Sequence, residues 1–207
     1  GAQGSIDLQP EWSDNFETGV RAALDINEKL TLSFEQALFV RQGHNLIDWV
    51  RFSGEDTTRA TNFREVTFTG METSLKLKSV HGNYIEAHYT SMKASESSSG
   101  FESNYVLDFL KHQLNVRALL ALPGEINLTF RYSLQDREGG YYNPVEEIEK
   151  EFVPLGLFGA NISKSFLEGK LNTNLRIDNV LNIEVHDIGN VMLPGRMIRG
   201  GLTFAFD

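Results

Sequence analysis

The chain alternates apolar and polar residues over stretches longer than an ordinary soluble strand. Leu171, Thr173, Leu175 and Ile177 share one face, and Asn172, Asn174, Arg176 and Asp178 share the other. Ile126, Leu128, Phe130, Tyr132 and Leu134 oppose Asn127, Thr129, Arg131, Ser133 and Gln135. Leu114, Val116, Ala118 and Leu120 oppose Gln113, Asn115 and Arg117. Phe16, Thr18, Val20, Ala22 and Leu24 oppose Glu17, Gly19, Arg21 and Asp25. Ile198, Gly200, Leu202, Phe204 and Phe206 close the chain in the same way. A period of two with one apolar face means half-buried strands.

The alternation predicts about nine strands, over 16–25, 30–42, 63–78, 84–94, 105–121, 126–136, 153–165, 170–181 and 197–206. Many exceed the ~5–6 residues usual in soluble sheets and suit the ~9–11 of a tilted membrane-crossing strand. The connections alternate as well. Tight turns are expected near 25–29, 79–83, 122–125 and 166–169, and long irregular loops at 43–62, 95–104, 137–152 and 182–196. Short turns on one side and long loops on the other are the asymmetry of outer-membrane barrels. The apolar faces quoted above carry no Lys, Arg, Asp or Glu, as a lipid-facing surface requires, and the charge is expected on the partner face or in loops. Phe16, Tyr84, Tyr89, Tyr105, Phe158, Phe166 and Phe206 recur where an aromatic girdle would lie.

Composition narrows the function classes. The chain has 28 acidic and 19 basic side chains, a net charge of −9, and no cysteine. An acidic chain is a poor match to nucleic acid, and zero Cys removes disulfide scaffolds, Cys-based zinc sites and thiol catalysis. No apolar run reaches the ~18 residues of a membrane helix. The start, Gly1 to Ser5, has neither the basic region nor the apolar core of a signal peptide. There is no phosphate loop, no Gly-x-Gly-x-x-Gly, no Gly-x-Ser-x-Gly and no His-Glu-x-x-His. His44, His81, His88, His112 and His186 show no ligand spacing and read as solvated polar residues. No enzyme, cofactor or metal centre is therefore expected. Asn127 and Asn161 head formal glycosylation sequons but fall inside predicted strands.

Four stretches resemble the C-terminal half of TonB-dependent outer-membrane receptors. These are LQPEWSDNFETG at 8–19, ALFVRQGHNLIDWV at 37–50 followed by Asn62 and Gly70-Met71-Glu72, LRIDNVLN at 175–182, and DIGNVMLPGRMIRGGLTFAFD at 187–207. The resemblance implies that residues 1–207 are the last nine or so strands of an antiparallel transmembrane barrel of about 22 strands with a plugged lumen. In such receptors a plug, a TonB-contact segment and earlier strands precede this part. An odd number of strands leaves exposed edges, which lipid does not tolerate, so a fragment, a cleavage product or one chain of a split assembly is expected. The final strand, with Gly201, Phe204 and Phe206, resembles the signal by which the barrel-assembly machinery inserts such proteins. It departs from that pattern at Gly200, where a polar residue is usual, and in ending on Asp207.

Two loop regions are candidates for ligand contact. Tyr141 and Tyr142 precede Asn143, Glu146, Glu147, Glu149 and Glu151, so aromatics could stack on a bulky ligand while carboxylates hold a cation. A solvated acidic loop explains the same residues. Trp49 and Phe52 stand among Arg41, Arg51, Arg59 and Arg64, a set suited to an anionic iron chelate, and equally to loop solubility with an aromatic girdle. Arg117, Arg131, Arg176 and Asp178 fall on the lumen side, where strand packing or contact with a plug is expected.

The resemblance implies active import across the bacterial outer membrane. The cargo is a small-molecule metal chelate such as a ferric siderophore, or cobalamin, and the TonB complex supplies the energy. Gln135 to Gly139 and Gly189 to Arg196 lean toward the siderophore and cobalamin receptors of Bacteroides-type bacteria. The competing reading is a soluble or surface β-domain that binds a ligand without transport.

Overall fold

Strand-forming alternation becomes seventeen strands in the computed structural model, which describes residues 1–52, 57–62, 65–96, 101–103, 109–143, 148–187 and 191–206. In chain order they are β1 (Ala2–Gln3), β2 (Trp12–Asn27), β3 (Leu30–His44), β4 (Ile47–Phe52), β5 (Thr58–Asn62) and β6 (Glu65–Ser79). Next come β7 (Tyr84–Glu96), β8 (Phe101–Ser103), β9 (Leu110–Leu122), β10 (Ile126–Arg137), β11 (Gly140–Asn143) and β12 (Ile148–Glu151). The last are β13 (Leu155–Phe166), β14 (Leu171–Asp178), β15 (Val185–Asp187), β16 (Val191–Leu193) and β17 (Met197–Phe204).

Nine of them form one sheet in the order β17-β14-β13-β10-β9-β7-β6-β3-β2, and all eight pairings are antiparallel. This is an up-and-down meander, and its nine strands are the nine expected from the alternation. The bounds shift in places. The stretch expected to start at 105 has its described strand from Leu110, and the one expected to run to 181 stops at Asp178, because Asn179 turns into the left-handed region at φ 49°. The four tight turns form as expected. Gly124 at φ +78° and Gly169 at φ +87° supply backbone angles that other residues rarely adopt. The long connections are more ordered than expected: they carry a four-stranded sheet, β1-β5-β4-β8, and the hairpins β11–β12 and β15–β16.

Register explains the two faces. One in-register row crosses all nine strands as Leu24, Leu32, Leu77, Ile85, Ala118, Phe130, Ala160, Ile177 and Ile198, every member apolar. One residue along, the neighbouring row reads Ala23, Ser33, Lys76, Glu86, Arg117, Arg131 and Gly159. A one-residue slip would exchange these two surfaces completely.

The apolar face has nothing packed on it. Among the described residues only Val50, Ala60, Val66 and Val185 are buried hydrophobics, and none belongs to that face, while Leu24 is 62 % and Ile198 64 % exposed. A soluble sandwich needs a second layer there, whereas a membrane barrel presents this face to hydrocarbon.

Two expectations about faces need correction. Tyr84 lies on the charged side, with Lys76 Nζ 4.6 Å and the Arg117 guanidinium 5.7 Å from its ring centroid, so it is not part of an outward girdle. The apolar face is not free of charge either: Lys164 pairs with Thr173 in the same outward set as Ile162 and Leu175. Tyr105 lies outside the described residues.

Candidate functional site at the mouth of the barrel

The charged face carries the chemistry. Lys76 and Glu86 form an ion pair at 2.9 Å on adjacent strands. Farther round the wall, Arg176 Nε reaches Asp178 at 2.8 Å, and Arg199 contacts the same carboxylate. Gly159 lies beside this cluster, and a Cβ there would be in ordinary contact with Asp178 Oδ1 at 3.6 Å. Arg117 and Arg131 pair across β9 and β10, and Glu86 is the register partner of Arg117, so the wall sets Glu86 and Asp178 among four guanidinium groups. Arg131 Nη1 is buried and has no hydrogen-bond partner among the described residues.

The long connections fold onto this same face. Val50 of β4 is fully buried against Val66 of β6, with Leu46, Phe68 and Ala94 around the pair. Val66 and Phe68 alternate with the outward Leu75 and Leu77, so the four-stranded sheet sits inside the mouth. Three residues from the familiar motifs tie it down. Glu11 Oε1 accepts from Ile47 N at 2.5 Å. Asn62 Oδ1 accepts from Gln9 N at 2.8 Å, and Nδ2 donates to Gln9 O at 2.9 Å and to Asn45 O at 2.6 Å. Each bond satisfies a backbone group that a loop would otherwise leave unpaired.

A second connection begins at Asn179, which is 8 % exposed. Its Oδ1 accepts from Ile183 N at 2.9 Å and its Nδ2 donates to Ile183 O at 2.7 Å. Asn182 Oδ1 then accepts from Arg196 N at 2.8 Å, joining the two ends of the connection. Between this connection and the wall lies a cavity of about 500 Å³, lined by His88, Asn115, Arg117 and Arg131 from the strands and by Val185 and Pro194 from the loop. It is mostly apolar, and its charged lining mixes the guanidinium groups of Arg117 and Arg131 with the carboxylates of Glu86 and Asp178, a composition suited to a polar organic ligand or to a neighbouring protein segment.

The candidate contact residues are spread over the mouth. Trp49 on β4 is half-buried and pairs with Ala60, while the exposed Arg59 pairs with Val50. Pleating therefore puts Trp49 and Arg59 on opposite faces of the small sheet. Arg51 pairs with Glu102 along the backbone. Tyr141 and Tyr142 pair with Lys150 and Glu149 in the β11–β12 hairpin, away from the small sheet in the pairing scheme. Arg41 lies on the charged face of β3; Arg64, Glu146 and Glu147 lie outside the described residues. Among the described residues no three His, Asp or Glu groups come together as a metal site. The wall arginines were legible from alternation. The struts Asn179, Asn182 and Asn62 were visible only as parts of motifs: the partners of Asn62 and Asn182 lie in other segments, and nothing periodic marks the bonds of Asn179 to Ile183.

The model of the outer membrane protein beta-barrel family matches residues 2–190. The chain belongs to that family. Membership puts it in the bacterial outer membrane, with the apolar row toward lipid. Solved structures agree on the fold. The FrpB iron transporter of Neisseria meningitidis aligns with 97 % of this chain and 32 % of its own, at 13 % identity and a TM-score of 0.67. The ferric enterobactin receptor PfeA of Pseudomonas aeruginosa aligns over 95 % and 31 %, at 18 % identity and 0.67. The pyoverdine receptor FpvA of the same species aligns over 96 % and 30 %, at 15 % identity and 0.69. The chain thus spans about a third of the length of these structures. Among curated proteins none matches it. The family match and these barrels agree with the resemblance read in the sequence: this is a barrel portion of the kind found in such receptors.

Proposed function

We propose that residues 1–207 are the C-terminal barrel portion of a TonB-dependent receptor that imports a ferric siderophore or a cobalamin-type nutrient. The single observation that carries this is the pair of adjacent registers. One is wholly apolar across nine strands, and the next is charged and roofed at one end by folded-in loops. That arrangement makes a lipid-embedded wall with a polar, gated interior.

In this reading the chain breaks no bond. The wall arginines Arg117, Arg131, Arg176 and Arg199 face a plug and hold its carboxylates, which keeps the lumen closed until TonB pulls. The loops at the mouth, with Trp49, Arg51, Arg59, Tyr141 and Tyr142, make first contact with cargo. Strand edges β2 and β17 pair with the further strands of the barrel, since neither edge is tolerated in lipid. Gly201, Phe204 and Phe206 guide insertion by the barrel-assembly machinery. An iron chelate has more support than cobalamin, because the similar barrels named above are those of an iron transporter and two receptors for iron-binding compounds.

The test is equilibrium binding to the full-length protein in detergent, with a panel of ferric siderophores and cobalamin. Saturable binding of one class, lost when the mouth loops are deleted, is the expected result. No binding of either class would overturn the substrate assignment. Stable, monodisperse behaviour without detergent would overturn the membrane reading.

A further inference from the structure

We infer that the outward face of β13, β14 and β17 holds one phosphate-bearing lipid of the periplasmic leaflet, seated by Lys164. This rests on the membrane reading of the sheet, and not on which nutrient is imported. Three outward rows lie side by side in register: Ile162–Leu175–Gly200, Lys164–Thr173–Leu202 and Phe166–Leu171–Phe204. The last is next to the tight turn after Phe166, on the side where short turns mark the periplasm.

Gly200 has no side chain and Thr173 a small one, so a shallow groove of about 720 Å³ opens between the bulkier Ile162, Leu175 and Leu202. The groove runs from Lys164 toward the middle of the strands. At its turn end the Lys164 ammonium lies 4.8 Å from the centroid of the Phe166 ring. The β13–β14 pairing is held there by Thr173 Oγ1, which donates to Lys164 O at 3.2 Å.

Charge on this surface is costly at the bilayer midplane and costs little near the interface. Lys164 sits two residues from the end of its strand, close enough for its stem to reach the headgroup level. Among the described outward positions nearest the short turns it is the one charged residue. A cation at headgroup depth beside a groove of acyl-chain character matches a glycerophospholipid: the phosphodiester oxygens accept from Nζ, and one chain lies along Ile162, Leu175 and Leu202.

The experiment uses the full-length protein, delipidated in mild detergent and titrated with phosphatidylglycerol or with diacylglycerol, which lacks the phosphate. Bound lipid is counted by native mass spectrometry. The groove is filled by Gly200→Leu, a site where a Cβ meets only the Asn174 carbonyl oxygen, at 3.9 Å. The expected result is one retained phosphatidylglycerol, at least tenfold weaker diacylglycerol, a tenfold loss with Lys164→Gln, recovery with Lys164→Arg, and loss with Gly200→Leu. Equal binding of the two lipids, or wild-type retention by both Lys164→Gln and Gly200→Leu, would overturn the assignment. Heat-modifiable migration of each variant checks that the barrel is intact.

Discussion

Arg176 holds Asp178 from two positions away on the same strand, with Nε donating to both carboxylate oxygens at 2.8 and 3.0 Å. Arg199 on the neighbouring strand reaches the same carboxylate, so a single Asp joins β14 to β17 on the lumen wall. Asp178→Ala leaves Arg176 and Arg199 without their shared acceptor. The expected loss is about 1–2 kcal/mol, the range for hydrogen bonds to charged groups reduced by partial exposure. Denaturant unfolding of the lipid-reconstituted protein measures it, and Asp178→Glu should recover part.

Gly70 underlies Phe39. A Cβ built on Gly70 would meet the Ser91 carbonyl oxygen of the neighbouring strand and stand 2.5 Å from Phe39 Cζ, so any larger residue must shift both that backbone and the ring. Gly70→Val should destabilise by about 1–3 kcal/mol, as overpacking does. In combination with Phe39→Ala the cost should be less than the sum of the two single changes. Strict additivity in a double-mutant cycle would mean that the ring does not lie on that glycine.

Asn179 anchors the loop that roofs the wall cavity through two hydrogen bonds to Ile183. Asn179→Ala should leave the sheet intact, because its strands pair without it, and loosen the roof. Nutrient affinity is expected to fall about tenfold, equivalent to about 1.4 kcal/mol, with little change in global unfolding. Titration calorimetry beside an unfolding curve separates the two effects.

The sequence revealed the sheet well because alternation is a local property: parity alone put Leu24, Ala118, Phe130, Ile177 and Ile198 of the nine-strand row on the apolar face. It revealed the mouth poorly because contacts there join segments far apart in sequence. Asn62 bridging Gln9 and Asn45, and Val50 sealing on Val66, have no periodic signature. The opposite faces of Trp49 and Arg59 follow from the β4–β5 register, which loop composition does not encode. Tyr84 was legible but misread. Its parity opposes Ile85, and that outweighs the tendency of strand-end aromatics to form a girdle. Lys164 was poorly legible because both parities around it are apolar, Leu155 and Leu157 on one and Phe158 and Ile162 on the other, so alternation there is weak.

Phe204 and Phe206 meet at the chain end with ring centroids 4.7 Å apart and planes tilted by 59°, and Phe206 is 88 % exposed. Replacing both by Ser should slow assembly severalfold. A pulse-chase measurement of the folded, heat-modifiable form tests this. An unchanged rate would remove these residues from the insertion signal.

The account depends most on the two neighbouring registers facing different media. Residues 1–207 contain no cysteine, so with any other cysteine of the full-length protein replaced, single-cysteine spin labels report one site each. Labels at Leu32, Leu77 and Ala118 are compared with labels at Ser33, Lys76 and Arg117 in the lipid-reconstituted full-length protein. The first set should collide with oxygen dissolved in the bilayer and exclude a water-soluble nickel chelate, and the second set should show the reverse preference. If Leu32, Leu77 and Ala118 prove shielded from both reagents, that face is packed inside protein and the membrane-barrel account is wrong.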